Sequence, residues 1–321
     1  MLETQKVARR EEVIRRTSIG TPKKLTPATP GLSSQISTVK IEPILEVDNE
    51  YDIDSEDKGI ERSCWQYAAE IHKYYLDIEV PHRPLPLVAH VDVNTKMRSI
   101  LVDWLVDVHY KYNLLEQTLH IAVNLIDRHL EKNLTLPRAR LQLVGITALF
   151  IASKYEEIYP PEAADFVKIT DNAYTLSEMF QMEDELLSSI GYRVTVPTAF
   201  QFMNRFLKAS KTVNTKTHLL ANYLIDRCLQ EYKMLRYPPS MIAAAGVYHA
   251  RMQMHSACVE YHSTYSVAAM RLCIKDMQEM MESAAAGVAK SSKLTAVTRK
   301  FSKEKFQGVS KLPLRFPVDH E

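Results

Sequence analysis

The stretch LHIAVNLIDRHL, residues 119–130, occurs a second time in this sequence as HLLANYLIDRCL, residues 218–229. The two stretches share six of their twelve residues in register, including an identical Ile-Asp-Arg core. In both, apolar residues recur at spacings of three and four, which is typical of an amphipathic helix. A repeat almost 100 residues long exceeds the length of a solenoid unit and indicates instead a duplicated helical domain.

Helical patterns surround both copies. The predicted helices are 94–112, 118–130, 139–157, 161–168 and 175–191 around the first copy, and 198–209, 218–229, 241–251, 266–283 and 292–303 around the second. Asn94 and Thr175 are predicted N-caps, Thr175 within a Thr-x-x-Glu capping box, and Gly191 is a predicted C-cap. The sequence therefore predicts an all-α protein of two tandem five-helix bundles, joined at 193–198 and preceded by a helix that begins at Ile60.

The first 59 residues differ in composition from the rest. Residues 6–24 hold seven Lys or Arg against two Glu, and residues 41–61 hold nine acidic groups against one lysine. The Thr-Pro-rich segment between these blocks has too little apolar area to offset the entropy lost on ordering. The predicted domains are a disordered regulatory tail over 1–59, a first bundle with its preceding helix over 60–195, and a second bundle over 196–315.

The overall composition excludes several classes of protein. The 321 residues are 46% apolar and 25% charged, with a formal net charge of +1, which gives no general attraction to nucleic acid. The apolar stretch at 143–153 is too short to span a membrane. The N-terminus has no apolar segment of a secretory signal, and the four cysteines form no Cys-x-x-Cys pair. We expect a soluble intracellular protein that binds neither nucleic acid nor membrane.

No catalytic or metal-binding pattern is evident. Glu156 and Glu157 are adjacent, but neighbouring residues of a helix point about 100° apart, which does not suit a general acid and base. A glycine-rich phosphate loop and a Gly-x-Ser-x-Gly motif are both missing from the sequence. The side chains that could be assembled into a zinc site, without a known ligand spacing, are His249, His255, Cys258 and His262. We expect no enzyme activity, no metal and no cofactor.

The predicted helix over 94–112 allows two interpretations. Its apolar stripe consists of Met97, Ile100, Leu101, Trp104, Leu105, Val108 and Tyr112. The stripe can face a core, with charged residues at its edges. Alternatively, Met97, Ile100, Leu101 and Trp104 can form an exposed apolar groove with Asp107 at its rim, suited to a peptide with one hydrophobic and one basic anchor.

Three long segments resemble the mitotic cyclins of the A and B groups, with the B type most similar. They are MRSILVDWLVDVHYKYNLLEQTLHIAVNLIDR (97–128), LQLVGITALFIASKYEEIYPPE (141–162) and DFVKITDNAYT (165–175). The resemblance covers about residues 60–315, and it is strongest over 94–200. It implies the cyclin fold of two tandem boxes, and the role of a regulatory subunit that binds and activates a cell-cycle cyclin-dependent Ser/Thr kinase and controls G2/M progression.

The resemblance also implies two sets of site residues. Lys154 and Glu183 match the residues that fasten the kinase αC helix in cyclins. The apolar positions of the same surface are Ile151, Tyr155, Leu187 and Tyr192. The sequence MRSIL matches the cyclin patch MRAIL, which docks Arg-x-Leu motifs of substrates and inhibitors. The implied docking residues are Met97, Ile100, Leu101 and Trp104 for the leucine, Asp107 for the arginine, and Gln142 beside them.

The sequence departs from the family pattern at the docking patch and in the tail. Ser99 replaces the usual alanine, and Asp107 stands where glutamate is common. The tail has no Arg-x-x-Leu destruction box, and only Arg16-x-x-Ile19 approaches one. The family nevertheless implies ubiquitin-ligase machinery as a partner. The predicted phosphorylation sites, each followed by proline, are Thr21, Thr26 and Thr29.

Location and function class complete the expectations. The basic residues of 6–16 are a weak nuclear-import signal, and we expect the protein in nucleus and cytoplasm. Two alternatives share the duplicated fold, namely a transcription-linked cyclin and the core of a general transcription factor that holds promoter DNA. The near-neutral charge argues against the DNA-binding alternative, and the MRSIL segment is typical of cell-cycle rather than transcriptional cyclins.

Overall fold

The structure is a computed structural model that describes residues 53–80, 90–210, 214–254, 265–285 and 294–313. Within these ranges the chain forms α-helices and short 3-10 turns, without strands. The α-helices are α1 (Ala68–Glu79), α2 (Thr95–Lys111), α3 (Glu116–Lys132), α4 (Leu141–Glu156), α5 (Ala163–Lys168), α6 (Leu176–Ser189), α7 (Ala199–Ala209), α8 (Thr215–Gln230), α9 (Pro239–Gln253), α10 (Val267–Ala285) and α11 (Ala296–Phe301). The predicted all-α fold with two successive sets of five helices, α2–α6 and α7–α11, is confirmed.

Local capping interactions explain where several helices begin and end. The Asn94 side chain accepts a hydrogen bond from Met97 N at 3.0 Å and starts α2. Thr175 forms the predicted capping box of α6, and Gly191, at φ 64°, follows its last turn. A second capping box, in which Thr198 and Gln201 start α7, is absent from the sequence-based predictions.

A central helix lies at the core of each bundle. Residues 143–153 of α4 are buried, as their nearly continuous apolar sequence indicates. Gly145 lets α2 approach α4 closely, because a Cβ atom there would lie 2.7 Å from Leu101 Cδ1. In α9, Gly246 similarly faces Ile225 Cγ2, 3.0 Å from the Cβ position. Small residues therefore set the spacing of the central helix from its neighbours in both bundles.

The segment before α1 differs from the predicted helix. Residues 55–67 contain three 3-10 turns, Ser55–Asp57, Glu61–Ser63 and Trp65–Tyr67, and the α-helix begins only at Ala68. Cys64 has a left-handed φ of 48°, which interrupts a continuous helix. Ile60, the predicted first residue of this helix, is exposed and lies outside α1.

Residues 53–59, which the sequence analysis placed in the tail, are packed on α7. Ile53 and Asp54 are buried. Asp54 pairs with Arg205 at 3.0 and 3.1 Å, and Asp57 pairs with Lys208 at 2.6 Å. Residues 1–52 lie outside the described ranges.

A buried charge cluster joins the two bundles. Lys300 of α11 pairs with Glu116 of α3 and with Asp226 of α8, the latter at 2.9 Å, and His120 lies 3.1 Å from Asp226. Burial would raise the pKa of Asp226, but Lys300 and His120 lower it to about 2. Burial raises the pKa of Glu116, and Asp226 adds to this effect. The aspartates of the two Ile-Asp-Arg copies therefore lie in different ionic environments, since Asp127 pairs with Arg98.

Candidate functional site

The first candidate surface lies where α4 and α6 pack side by side. Lys154, in the last turn of α4, forms an ion pair with Glu183 of α6. The Lys154 ammonium also lies 4.2 Å from the centroid of the Phe150 ring, which holds the lysine stem against the helix. The structure therefore brings together the two charged residues that the family resemblance singled out.

Apolar side chains frame this ion pair at different depths. Tyr155 is exposed, and its hydroxyl lies 2.5 Å from Thr195 Oγ1. Tyr192 is 64% exposed and has a left-handed φ of 58°, which its backbone N–H stabilises by a 2.8 Å bond to Leu187 O. Leu187 is half-buried, and Ile151 is buried beneath them. The two tyrosines can contact a partner directly, whereas Ile151 forms the floor of the surface.

Three exposed residues extend this apolar surface and were not singled out from the sequence. Phe180 of α6 is exposed, with its ring centroid 6.5 Å from that of Phe150. Ile158 and Tyr159, directly after α4, are 87% and 92% exposed. The sequence does contain a sign of Ile158 and Tyr159: they are two apolar residues between the end of a predicted helix and the prolines at 160–161, where no core position is expected.

Helix α1 and the turn before it carry further exposed apolar residues. Ile71 and Tyr74 are three residues apart on one face of α1, Tyr67 lies in the 3-10 turn that precedes the helix, and all three are exposed. Burial raises the pKa of Tyr75 on the same helix, and the charges of Tyr155 and Glu156 add to this effect. We give the name apolar rim to the exposed apolar residues described above: Tyr67, Ile71, Tyr74, Tyr155, Ile158, Tyr159, Phe180 and Tyr192.

The second candidate surface is a strip on α2. Met97 and Trp104 are half-buried and Ile100 is 52% exposed, whereas Leu101 is only 6% exposed and packs on Gly145. Gln142, at the start of α4, is half-buried. Leu101, with Leu105 and Val108, belongs to the core, as the first interpretation of this helix predicts. Met97, Ile100 and Trp104 keep exposed apolar area, and we call these three residues the α2 strip; docking of a peptide there stays a prediction.

The rim of the α2 strip is formed by an ion pair between distant parts of the chain. Asp107 of α2 pairs with Arg299 of α11. The hydrogen bond with Asp107 raises the pKa of Arg299. One turn earlier, Asp103 accepts hydrogen bonds from Ala296 N at 2.9 Å and from Gln230 Nε2 at 2.6 Å, and burial raises the pKa of Asp103. Asp103 thus satisfies the free N-terminus of α11 and holds that helix against α2.

Several predicted positions cannot be placed on these surfaces. The tail residues Arg16, Ile19, Thr21, Thr26 and Thr29 lie outside the described residues, as do His255, Cys258 and His262. His249 is buried, and its Nε2 bonds to the Ile274 carbonyl at 3.2 Å. In the described part of the chain, no group of three or more His, Cys, Asp or Glu side chains could hold a metal ion. No helix in those same ranges is long and apolar enough to cross a membrane.

Comparison with known proteins identifies the family. Residues 70–195 match the cyclin N-terminal domain, and residues 197–314 match the cyclin C-terminal domain. The chain belongs to the cyclin family. Among its relatives are mitotic cyclins, which confirms the resemblance seen in the sequence.

Two plant proteins and one solved structure illustrate the similarity. The chain is 40% identical over 262 residues to cyclin-B2-1 of Oryza sativa subsp. japonica, over 79% of this chain and 61% of the relative. It is 40% identical over 268 residues to the G2/mitotic-specific cyclin-2 of Medicago sativa, over 81% of this chain and 79% of the relative. The chain therefore spans about three fifths of the length of the rice relative. A viral cyclin from herpesvirus saimiri shares the fold, with a TM-score of 0.59 at 16% identity, over 67% of this chain and 96% of that one.

Proposed function

We propose that this protein is the regulatory subunit of a cell-cycle cyclin-dependent Ser/Thr kinase, which it binds and activates to control G2/M progression. The observation that carries the proposal is the Lys154–Glu183 ion pair, set within the apolar rim on the family's kinase-binding positions. The identity to mitotic cyclins favours this function over the two transcriptional alternatives.

The geometry suits a kinase helix for physical reasons. Exposed rings such as Tyr155, Phe180 and Tyr192 lose water when they bind, at about 25 cal/mol per Å² of apolar area. Lys154 and Glu183 already neutralise each other, which reduces the cost of enclosing both charges in an interface. They remain able to bond to peptide groups at the end of a docked helix and so fix its orientation.

Activation would follow from the position of that helix rather than from any chemistry on this chain. Pressing the kinase αC helix inward lets the kinase glutamate pair with the lysine that holds the nucleotide phosphates. The same shift frees the activation loop of the kinase. The Tyr155 hydroxyl is hydrogen-bonded to the Thr195 hydroxyl, and the Tyr192 hydroxyl to the Ser188 hydroxyl. These bonds restrict the motion of both rings at the surface.

The α2 strip is proposed to dock substrates and inhibitors that carry an Arg-x-Leu motif. Ile100 and Trp104 offer apolar area for the leucine, over a floor formed by Leu101. Asp107 lies at the end of the strip where a basic residue would arrive. The proposal also includes residence in nucleus and cytoplasm, supported by the basic residues of 6–16, and removal by ubiquitin-ligase machinery, which rests on the family resemblance.

The decisive experiment changes the charged pair of the kinase-facing surface. Lys154→Ala with Glu183→Ala should abolish activation of the kinase captured from dividing cells, measured as histone phosphorylation by the purified complex. The control is Lys233→Ala with Glu279→Ala, a 2.9 Å ion pair on the second bundle whose lysine is about as exposed as Lys154 and whose glutamate is more exposed than Glu183. Both double variants should keep the melting temperature within a few degrees, because exposed pairs contribute little to stability.

Three outcomes of this experiment bear on the proposal. Loss of kinase activity in the first variant alone supports the proposed interface. Full activity of the Lys154→Ala, Glu183→Ala variant at an unchanged melting temperature would rule the interface out. Capture of no cyclin-dependent kinase by the unaltered chain would contradict the proposed function itself.

A further inference from the structure

The C-terminal segment from Thr295 onward runs alongside the second half of α2. Their contacts follow the same order in both segments: Ala296 N on Asp103, Arg299 on Asp107, Lys303 Nζ 3.5 Å from the Tyr110 ring centroid, and Lys305 Nζ 3.2 Å from Asn113 Oδ1. The segment is therefore parallel to α2 and places its cations on that helix. Leu101, next to Ile100 of the α2 strip, packs on Gly145 of α4.

Arg299 is held in place by two separate contacts. Its Nη2 donates to Asp107 Oδ2, and its Nη1 donates to Thr295 Oγ1 at 2.9 Å. The side chains of Arg299 and Asp107 remain 57% and 49% exposed, so the pair lies at the open rim of the strip rather than in the core. The carboxylate that an incoming arginine would need is therefore already paired within the chain.

We propose that Arg299 is a specificity-determining residue of the α2 strip, which occupies Asp107 and makes the strip select docked segments by their apolar anchors rather than by a basic residue. This inference rests on the proposed docking function and deepens it. The strip retains its apolar area at Ile100 and Trp104, but its rim has no net negative charge at Asp107. Segments with a neutral residue in place of the arginine are then bound about as well as those with arginine.

The charges account for the size of the effect. An incoming guanidinium either displaces Arg299 or approaches within a few ångströms of it, and like charges at that distance repel. If the peptide arginine displaces Arg299 from Asp107, one ion pair is broken and one is formed, so the number of ion pairs does not change. An exposed ion pair changes affinity by roughly 1.5- to fivefold, which is therefore the preference for arginine that Arg299 removes.

The test compares two peptides that differ in one residue. Fluorescein-labelled peptides with an Arg-x-Leu or an Ala-x-Leu motif are titrated with the full chain, and binding is followed by fluorescence polarisation. For the unaltered chain the two dissociation constants should agree within about twofold. For Arg299→Gln the Arg-x-Leu peptide should bind about two- to fivefold more tightly than the Ala-x-Leu peptide, since Asp107 is then free.

Two further variants identify the cause. Asp107→Asn in the Arg299→Gln background should remove the new preference, because no carboxylate remains for the peptide arginine. Lys303→Gln is the matched control, since it removes a cation of the same segment that lies over the Tyr110 ring rather than on Asp107. It should behave like the unaltered chain.

The outcomes distinguish a failure of the Arg299 role from a failure of docking at the strip. A tenfold preference of the unaltered chain for Arg-x-Leu, unchanged in Arg299→Gln, would overturn the role of Arg299 while leaving docking intact. The same holds if Lys303→Gln raises the preference as much as Arg299→Gln. If neither peptide binds any variant while the melting temperatures are normal, docking at the strip is wrong and the inference falls with it.

Discussion

Arg98 of α2 and Asp127 of α3 form a bidentate ion pair, with Nε–Oδ1 and Nη2–Oδ2 distances of 2.5 and 2.7 Å, in which the two side chains are only 1% and 3% exposed. Arg98 Nη1 also donates to the Leu229 carbonyl oxygen at 2.8 Å. Leu229 lies in the last turn of α8, which belongs to the second bundle. A single arginine therefore joins two helices of the first bundle to the end of a helix in the second.

Asp127→Asn should lower the free energy of unfolding by about 3–5 kcal/mol, because the Arg98 charge stays buried without its counterion. Urea unfolding followed by circular dichroism measures the loss. Asp92→Asn is the matched control, since Asp92 pairs at 3.1 Å with the well-exposed Arg138 and its loss should cost about 1 kcal/mol or less. Equal losses in the two variants would show that the Arg98 site is no more than a surface pair.

Much of the fold follows from the sequence because its signals are local. The Asn94 cap, the Thr175 capping box and the left-handed Gly191 each depend on residues within one helical turn. The start of α1 was misplaced because the spacing of Ile60 and Cys64 continues the helical period, although Cys64 adopts a left-handed φ. Periodicity records which residues are apolar, not the backbone conformation at one position.

The charged contacts cannot be predicted from the sequence in the same way. The partner of Arg98 is 29 residues away in the chain, and Arg299 is separated from its partner Asp107 by 192 residues, so no spacing rule predicts either pair. The depth of a residue within an apolar stripe is equally hidden. Leu101 and Ile100 are neighbours with the same chemistry, yet only Leu101 faces α4.

The free energy of unfolding should begin to fall at pH values well above those at which the carboxylates of the protein become protonated. Burial lowers the pKa of His109 to about 3 and that of His249 to about 4, from an ordinary value of 6.5. Between these values the unfolded chain binds more protons than the folded chain, so the free energy of unfolding falls as the pH falls below 6.5. At pH 5 each histidine accounts for about 2 kcal/mol of this loss.

Melting temperatures measured from pH 7 to pH 5 test this directly. The melting temperature should decrease through that range, and His249→Gln should make the decrease smaller. The buried Nε2 of His249 bonds to the Ile274 carbonyl, and the amide of a glutamine at position 249 can reach the same carbonyl. A melting temperature that stays constant from pH 7 to pH 5 would show that these imidazoles are not held neutral by the fold.

Gly145→Ala should destabilise the first bundle by about 1–3 kcal/mol, because the new methyl would lie 2.7 Å from Leu101 Cδ1 in a closely packed core. The strain should be relieved when Leu101→Ala is present, so that the double variant loses less free energy of unfolding than the sum of the single losses. Urea unfolding of the three variants gives the coupling energy. Additive losses would mean that Leu101 is not the residue that Gly145 accommodates.

The last prediction separates docking from kinase activation. Ile100→Ala with Trp104→Ala should leave phosphorylation of a minimal peptide substrate by the kinase complex unchanged, because both residues lie on α2, away from the Lys154–Glu183 surface. Phosphorylation of a protein substrate with an Arg-x-Leu motif should fall, since a buried leucine anchor is worth about 1.5–3 kcal/mol, or roughly ten- to hundredfold in affinity.

Leu101→Ala is the informative control for this pair of kinase assays. Leu101 is 6% exposed and packs on α4, so its truncation should cost about 2–5 kcal/mol of stability and reduce both activities together. Ile100 is 52% exposed, and Ile100→Ala alone should keep the melting temperature within a few degrees. If the Ile100→Ala, Trp104→Ala variant instead unfolds like Leu101→Ala, the α2 strip is part of the core. A folded variant that phosphorylates both substrates at full rate would show that Arg-x-Leu substrates bind elsewhere.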